Sequence, residues 1–192
     1  MAVRVSILSC GPSLDLFEGD ADSLLIGVNS AIEAHPCDIW CFMDPNVFGD
    51  STPDEPWPWG IFTHEPLEDH YDELDPETNM LVTRLFDETK FATAKGCRWW
   101  YREDMDFRGF PEGVEDVWRR FTVGAALMLA YMLGATEIRC YGCDMEGEKD
   151  WQGCEGRRET DRNEMRWMLE LEMWDLIVGW LGQRGVTVER VV

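Results

Sequence analysis

Short apolar runs separated by turn-forming residues open the chain. VRVSILS (residues 3–9) is rich in strand-forming residues and stops at Gly11-Pro12, which predicts a first strand. Pro12 suits the first turn of a helix, where its missing N–H costs nothing, so a short helix through Leu14–Phe17 is expected. LLIGV (24–28) predicts a second strand that ends at Asn29-Ser30. AIEAH predicts a short helix stopped by Pro36, and DIWCFM (38–43) a third strand ending at Asp44-Pro45. Mostly continuous apolar strands with helical segments between them point to a parallel sheet covered on both faces.

The pattern then changes. Residues 45–118 are rich in proline and acidic side chains, and only IFT (61–63) and a stretch at Arg98–Arg102 read as strands. Such a length without periodicity indicates a long functional loop or a small insertion. Order returns at FTVGAALMLAYMLGA, whose apolar residues run almost all round a helix and predict a deeply buried one, with Thr122 as a candidate N-cap and Gly134 at its end. EIRCYG (137–142) predicts a strand ending at Gly142-Cys143-Asp144. Residues 159–181 carry the longest helical pattern, with Leu169, Met173, Leu176 and Ile177 expected near one face, and VTVERV (186–191) predicts the last strand. The expected architecture is one α/β domain over 1–192, a three-layer sandwich around a mostly parallel sheet, with an irregular insertion at 45–118.

Composition narrows the partners. The 192 residues hold 38 Asp plus Glu against 17 Lys plus Arg, a net charge of −21. A surface this negative repels phosphate backbones and anionic membranes at long range, so nucleic acid is disfavoured as a partner. The first apolar run is short and interrupted by a polar turn, unlike a signal peptide, and no run approaches the ~20 residues of a membrane span. The expected location is the cytoplasm. Seven cysteines then read as reduced, buried thiols rather than disulfides. Cys140-x-x-Cys143 lacks the second tight knuckle of a structural zinc site and reads as core packing.

In open α/β sheets ligands bind beyond the carboxyl ends of the strands. Four such ends carry small or hydrogen-bonding residues: Gly11-Pro12-Ser13, Asn29-Ser30, Asp44 and Gly142-Cys143-Asp144. Gly11 permits close backbone approach, and Ser13 offers a hydroxyl and an N–H at a helix start, which suits an anion. Asn29 suits a sugar or base. Asp44 and Asp144 suit ribose hydroxyls, a metal or an ammonium group. Thr122-x-Gly124 opens the buried helix in the same manner. The plain alternative is that Ser13 and Thr122 only cap helices. Neither G-x-G-x-x-G nor a P-loop motif is present.

Two motif sets carry a resemblance. GPSL after strand one, V-N-S after strand two and D-P after strand three form the first. T-x-G-x-A-L-x-L-A-x-x-L-G-A-x-x-I-x-x-x-G-x-D-M at 122–145 forms the second. Together they resemble the Rossmann-like superfamily of bacterial lipooligosaccharide sialyltransferases and archaeal-type 6-hydroxymethylpterin pyrophosphokinases. The segment GCDMEGEKDWQG further resembles small tailed-phage members of it. The resemblance implies a Rossmann-like fold and a nucleotide site at Gly11, Ser13, Asn29, Thr122 and Gly124. Cys10 stands where relatives carry Asn, and Val123 where they carry Ser. No His follows His70, so the sialyltransferases' catalytic His has no counterpart and sialyl transfer is not implied.

Two readings follow. One is a nucleotide-dependent transferase, glycosyltransferase-like or pyrophosphokinase-like, acting on a nucleotide or nucleotide sugar. Gly11, Pro12, Ser13, Asn29, Ser30, Thr122, Gly124 and Gly142 would form its nucleotide pocket. Asp44, Asp144 and His64 would supply catalysis, with no tightly bound cofactor and Mg2+ admitted beside Asp44. The other is a non-catalytic phage accessory protein that binds a nucleotide or a host protein in the host cytoplasm. Arg157 and Arg158 suit either a ligand phosphate or a solvated loop.

Overall fold

The structure is a computed structural model. It describes residues 3–43, 47, 58–63, 98–101, 121–153 and 164–192, with 98–101 described by their backbone. Asp44, His64, His70, Trp57, Arg157 and Arg158 lie outside the described residues, as does most of the expected insertion.

The strands are β1 (Val3–Leu8), β2 (Leu24–Val28), β3 (Ile39–Cys41), β4 (Gly60–Thr63), β5 (Arg98–Tyr101), β6 (Ala135–Tyr141) and β7 (Thr187–Val191). They form a seven-stranded sheet in the order β5-β4-β3-β2-β1-β6-β7. Every pairing is parallel. The fold is α/β with a parallel sheet, as the strand and helix alternation predicts, and Rossmann-like, as the resemblance implies. Chain order runs outward from β1 to β5 and then returns to lay β6 against the other side of β1. The reversal point therefore falls between β1 and β6, where an open α/β sheet leaves a crevice at its carboxyl edge.

Helices α2 (Thr122–Met132) and α3 (Glu164–Gly182) cover one face, over Val5, Ile7, Ile26, Val28, Ile39 and Ile138. α2 is buried from Val123 to Ala130, which is what its unbroken apolar sequence demands. The other face carries a 3-10 helix (Pro12–Leu16) and the one-turn α1 (Ala31–Ala34) around Leu8, Leu14, Phe17 and Cys37. This second layer is thin. Arg4, Glu137, Arg139 and Glu189 form a ladder of exposed ion pairs on the strands, with Arg4 to Glu137 at 3.3 Å and Arg139 to Glu189 at 3.1 Å. β3 is only three residues long, yet Ile39, Trp40 and Cys41 are all fully buried. Burial at about 1.5–3 kcal/mol per large apolar side chain holds so short a strand in place.

Two expectations are corrected. The buried seam of α3 is Glu170, Trp174, Ile177 and Leu181, while Leu169 and Leu176 face solvent at 42% and 43% exposure. Trp174 offers more apolar area than either leucine, and Glu170 enters the seam because Arg166 pairs with it. The α2 N-cap is Phe121, not Thr122, and no side chain caps it. Phe121 is buried at 2% exposure, so its anchoring in the core sets the first helical bond, from Ala125 N–H to its carbonyl.

Candidate functional site

The loops after β1 and β6 meet across the crevice. Ser9 N–H bonds the Tyr141 carbonyl at 2.8 Å, and Gly11 N–H bonds the Gly142 carbonyl at 2.8 Å. This approach leaves no room for side chains. A Cβ on Gly11 would fall on the Asp144 carboxylate and lie 2.6 Å from the Gly142 carbonyl. A Cβ on Gly142 would fall on the Ser9 carbonyl, and its φ of +67° is a conformation other residues rarely adopt.

The turn that reads as an anion site is met by an anion of the chain itself. Ser13 donates its N–H to Asp144 Oδ2 at 3.1 Å and its hydroxyl to the same oxygen at 3.0 Å. Gly142 N–H in turn donates to Ser13 Oγ at 3.0 Å. Asp144 thus sits at the start of the 3-10 helix and pairs the Ser13 N–H there. A carboxylate has about four lone-pair sites, so a fixed Asp144 retains acceptor capacity toward the crevice.

The α2 start differs. Among the described residues, the N–H groups of Thr122, Val123 and Gly124 have no hydrogen-bond partner, and no acidic residue stands in the first turn. Orphaned N–H groups are rare in native structures when buried, as Val123 and Gly124 are. They carry the positive end of a buried eleven-residue helix.

A cavity of about 100 Å³ joins these elements, with Cys10, Gly11, Asn29, Thr122, Val123, Gly142, Asp144, Glu146, Arg166 and Glu170 among its lining. Asn29 and Met145 also line it, and they are the non-glycine residues with positive φ among the described residues, at 52° and 51°. Backbone held in sparsely populated regions gathers at functional sites. Asn29 is held by its backbone: Trp40 Nε1 donates to its carbonyl at 2.9 Å, and its N–H reaches the Cys41 carbonyl at 3.0 Å. Its side-chain amide has no partner among the described residues.

Of the residues expected in a pocket, the structure brings together Gly11, Asn29, Thr122, Gly142 and Asp144. Ser13 is buried behind Asp144, and Pro12 faces solvent. Ser30 hydrogen bonds the Cys10 thiol at 3.3 Å, and Gly124 lies buried one position beyond the cavity wall. His35 packs edge-on against Phe17 in the thin layer. Sequence reading missed Glu146, Arg166, Trp167 and Glu170. The last three sit on α3, whose N-terminal turn is brought to the crevice by Trp167 Nε1 bonding the Gly147 carbonyl at 3.0 Å.

Cys143 lines the cavity, but its thiol is pushed well above the ordinary range by a hydrogen bond with Cys140, by burial and by the neighbouring Asp144. It stays protonated at neutral pH and is no nucleophile. Among the described residues, no group of three or more His, Cys, Asp or Glu side chains is placed to hold a metal ion. No described helix is long and apolar enough to cross a membrane.

No protein-family model, no curated protein and no solved structure matches this chain.

Proposed function

We propose that the chain is a nucleotide-dependent transferase, glycosyltransferase-like or pyrophosphokinase-like, whose nucleotide or nucleotide-sugar ligand enters the crevice between β1 and β6. The observation that carries this reading is the buried α2 start. Its orphaned N–H groups open on a cavity at the reversal point of the sheet. A phosphate satisfies such donors and the helix charge together. The Asn29 amide then reads the sugar or base, and Asp144, fixed by Ser13, accepts from a ligand hydroxyl. Ligand pockets for molecules of this size span roughly 300–1,000 Å³, so the described cavity takes the phosphate end and the rest of the ligand extends beyond it.

The test is thermal unfolding with CMP, UDP, GDP or ATP at millimolar concentration, with and without magnesium. At least one should raise Tm, because a ligand present at about 100 times its Kd stabilises by about 2.7 kcal/mol. No shift with any of them rejects the reading.

A second reading, binding without turnover, has one observation in its favour. No histidine lines the cavity among the described residues, and of its carboxylates Asp144 and Glu170 are engaged by donors while Glu146 is exposed. Phosphorus NMR of a bound nucleotide sugar separates the two. An unchanged spectrum over hours in the presence of simple acceptors favours binding alone.

A further inference from the structure

We propose that Arg166 is the side chain that meets the anionic end of the cavity's ligand, a phosphate or diphosphate, and that Glu170 is its positioning residue. The inference takes the kind of ligand from the nucleotide reading, but its charge selection is testable without it.

Glu170 is the starting point. It is 6% exposed and heads a seam otherwise made of Trp174, Ile177 and Leu181. A carboxylate there is costly to desolvate, and an apolar residue of similar volume would be neutral or better for stability. Stability alone therefore does not explain it. Its Oε1 accepts the Arg166 Nε–H at 2.7 Å, one helical turn away. A guanidinium is planar, with five donors in a fixed fork, so securing Nε fixes the plane of the rest. Trp167 adds a second constraint, with the Arg166 guanidinium carbon 5.3 Å from its ring centre. The Trp167 bond to Gly147 ties the same turn to the loop after β6.

Arg166 and Glu170 line the cavity together with Thr122 and Val123. Among the described residues its positive groups are thus one guanidinium and the α2 N–H groups. Its negative groups are Asp144, whose charge Ser13 meets, Glu170, whose charge Arg166 meets, and the exposed Glu146. Among the described residues that line the cavity, Arg166 is the one cationic side chain, so it is the group there that would meet an anion. The Arg166 side chain is 42% exposed, so in a chain of net charge −21 its attraction for an anion acts at short range, within a Debye length.

The test is calorimetric titration of the full chain with inorganic diphosphate, CMP and cytidine. The variants are Arg166→Gln, Arg166→Lys, Glu170→Gln, Glu170→Leu and the double variant Arg166→Gln/Glu170→Gln. Arg166→Gln should weaken diphosphate and CMP by about 10-fold or more and leave cytidine within about 2-fold. Arg166→Lys should recover part of the loss. Glu170→Gln and the well-packed Glu170→Leu should weaken diphosphate, yet add nothing in the Arg166→Gln background. A merely structural role would weaken binding in both backgrounds. Diphosphate bound equally by wild type and Arg166→Gln overturns the proposal. So does a wild type that binds no diphosphate. Diphosphate binding lost in Arg166→Gln, with no nucleotide bound by wild type, sustains the Arg166 site and rejects the nucleotide reading alone.

Discussion

Ser13 donates both its N–H and its hydroxyl to the carboxylate of Asp144, 131 positions further along the chain. The same hydroxyl accepts the buried Gly142 N–H. One serine therefore locks the β1 turn to the β6 turn at the point where strand order reverses. Ser13→Ala leaves the Gly142 N–H unsatisfied and should cost about 1–3 kcal/mol. Asp144→Ala should cost a similar amount, and the double variant less than the sum of the two. Urea denaturation of the four proteins measures the coupling, and full additivity would show that the contact does not stabilise the fold.

Gly142 tolerates no side chain, for two separate reasons. Its φ is +67°, and a Cβ would collide with the Ser9 carbonyl. Gly142→Ala should cost about 2 kcal/mol or more. Gly153 also has a positive φ, of +75°, but nothing lies within 4 Å of a Cβ there. Gly153→Ala should thus cost only the conformational part, about 1 kcal/mol. Equal midpoints in denaturant for the two variants would contradict this ranking.

Asn29 holds a positive φ, and in the proposed pocket its amide would also read the ligand. At φ 52° glycine fits without strain, so Asn29→Gly should keep stability within about 0.5 kcal/mol, while Asn29→Ala should lose about 1 kcal/mol. Both should weaken a bound nucleotide by about 5-fold, the worth of one hydrogen bond. Thermal melts and ligand titration separate the two roles. A ligand affinity unchanged in Asn29→Gly would remove Asn29 from the site.

Thr122→Asp places a carboxylate in the first turn of α2, where the chain has none. It should stabilise the fold by about 0.3–1 kcal/mol through the helix charge. It should also abolish anion binding, because the carboxylate competes for the same N–H groups. A melt and a diphosphate titration on one preparation suffice. Loss of stability together with unchanged binding would contradict the assignment of this helix start.

Stability should fall at alkaline pH through buried thiols. Burial, with a smaller contribution from Asp38, pushes the Cys37 thiol up to about 12, and burial raises Cys41 as well. Both protons stay bound in the fold and leave the unfolded chain near pH 8.5. Their stabilisation is therefore complete below that pH and is lost as pH rises toward 12. The slope is about 1.4 kcal/mol per pH unit for each thiol. Urea midpoints from pH 7 to 11 under reducing conditions test this, and Cys37→Ala should flatten the slope by one thiol's share.

Much of the fold was legible because local chemistry and tertiary structure agree. VRVSILS, LLIGV, DIWCFM and EIRCYG are strands within one or two residues of their apolar limits. Even IFT and the Arg98 stretch entered the sheet. The pattern failed on α3. Its leucines suggested one face, but helix rotation is chosen by the best fit to the sheet, and Trp174 and the Arg166–Glu170 pair outweigh Leu169 and Leu176. The cap of α2 was misplaced because Phe121 obeys core packing rather than capping preference.

What the sequence by itself determined is the order of elements and the polar residues at their ends, since periodicity and turn chemistry act over a few neighbouring positions. It singled out Gly11, Ser13, Asn29, Thr122, Gly142 and Asp144 without saying which of them would touch. Only the tertiary structure decided that Asp144 answers Ser13, that the α2 start finds no partner for its N–H groups among the described residues, and that Arg166 and Glu170 reach the cavity from α3. The physical reason is strand order. Laying β6 beside β1 brings together loops more than 120 residues apart, and a hydrogen bond between them leaves no local trace in the chain.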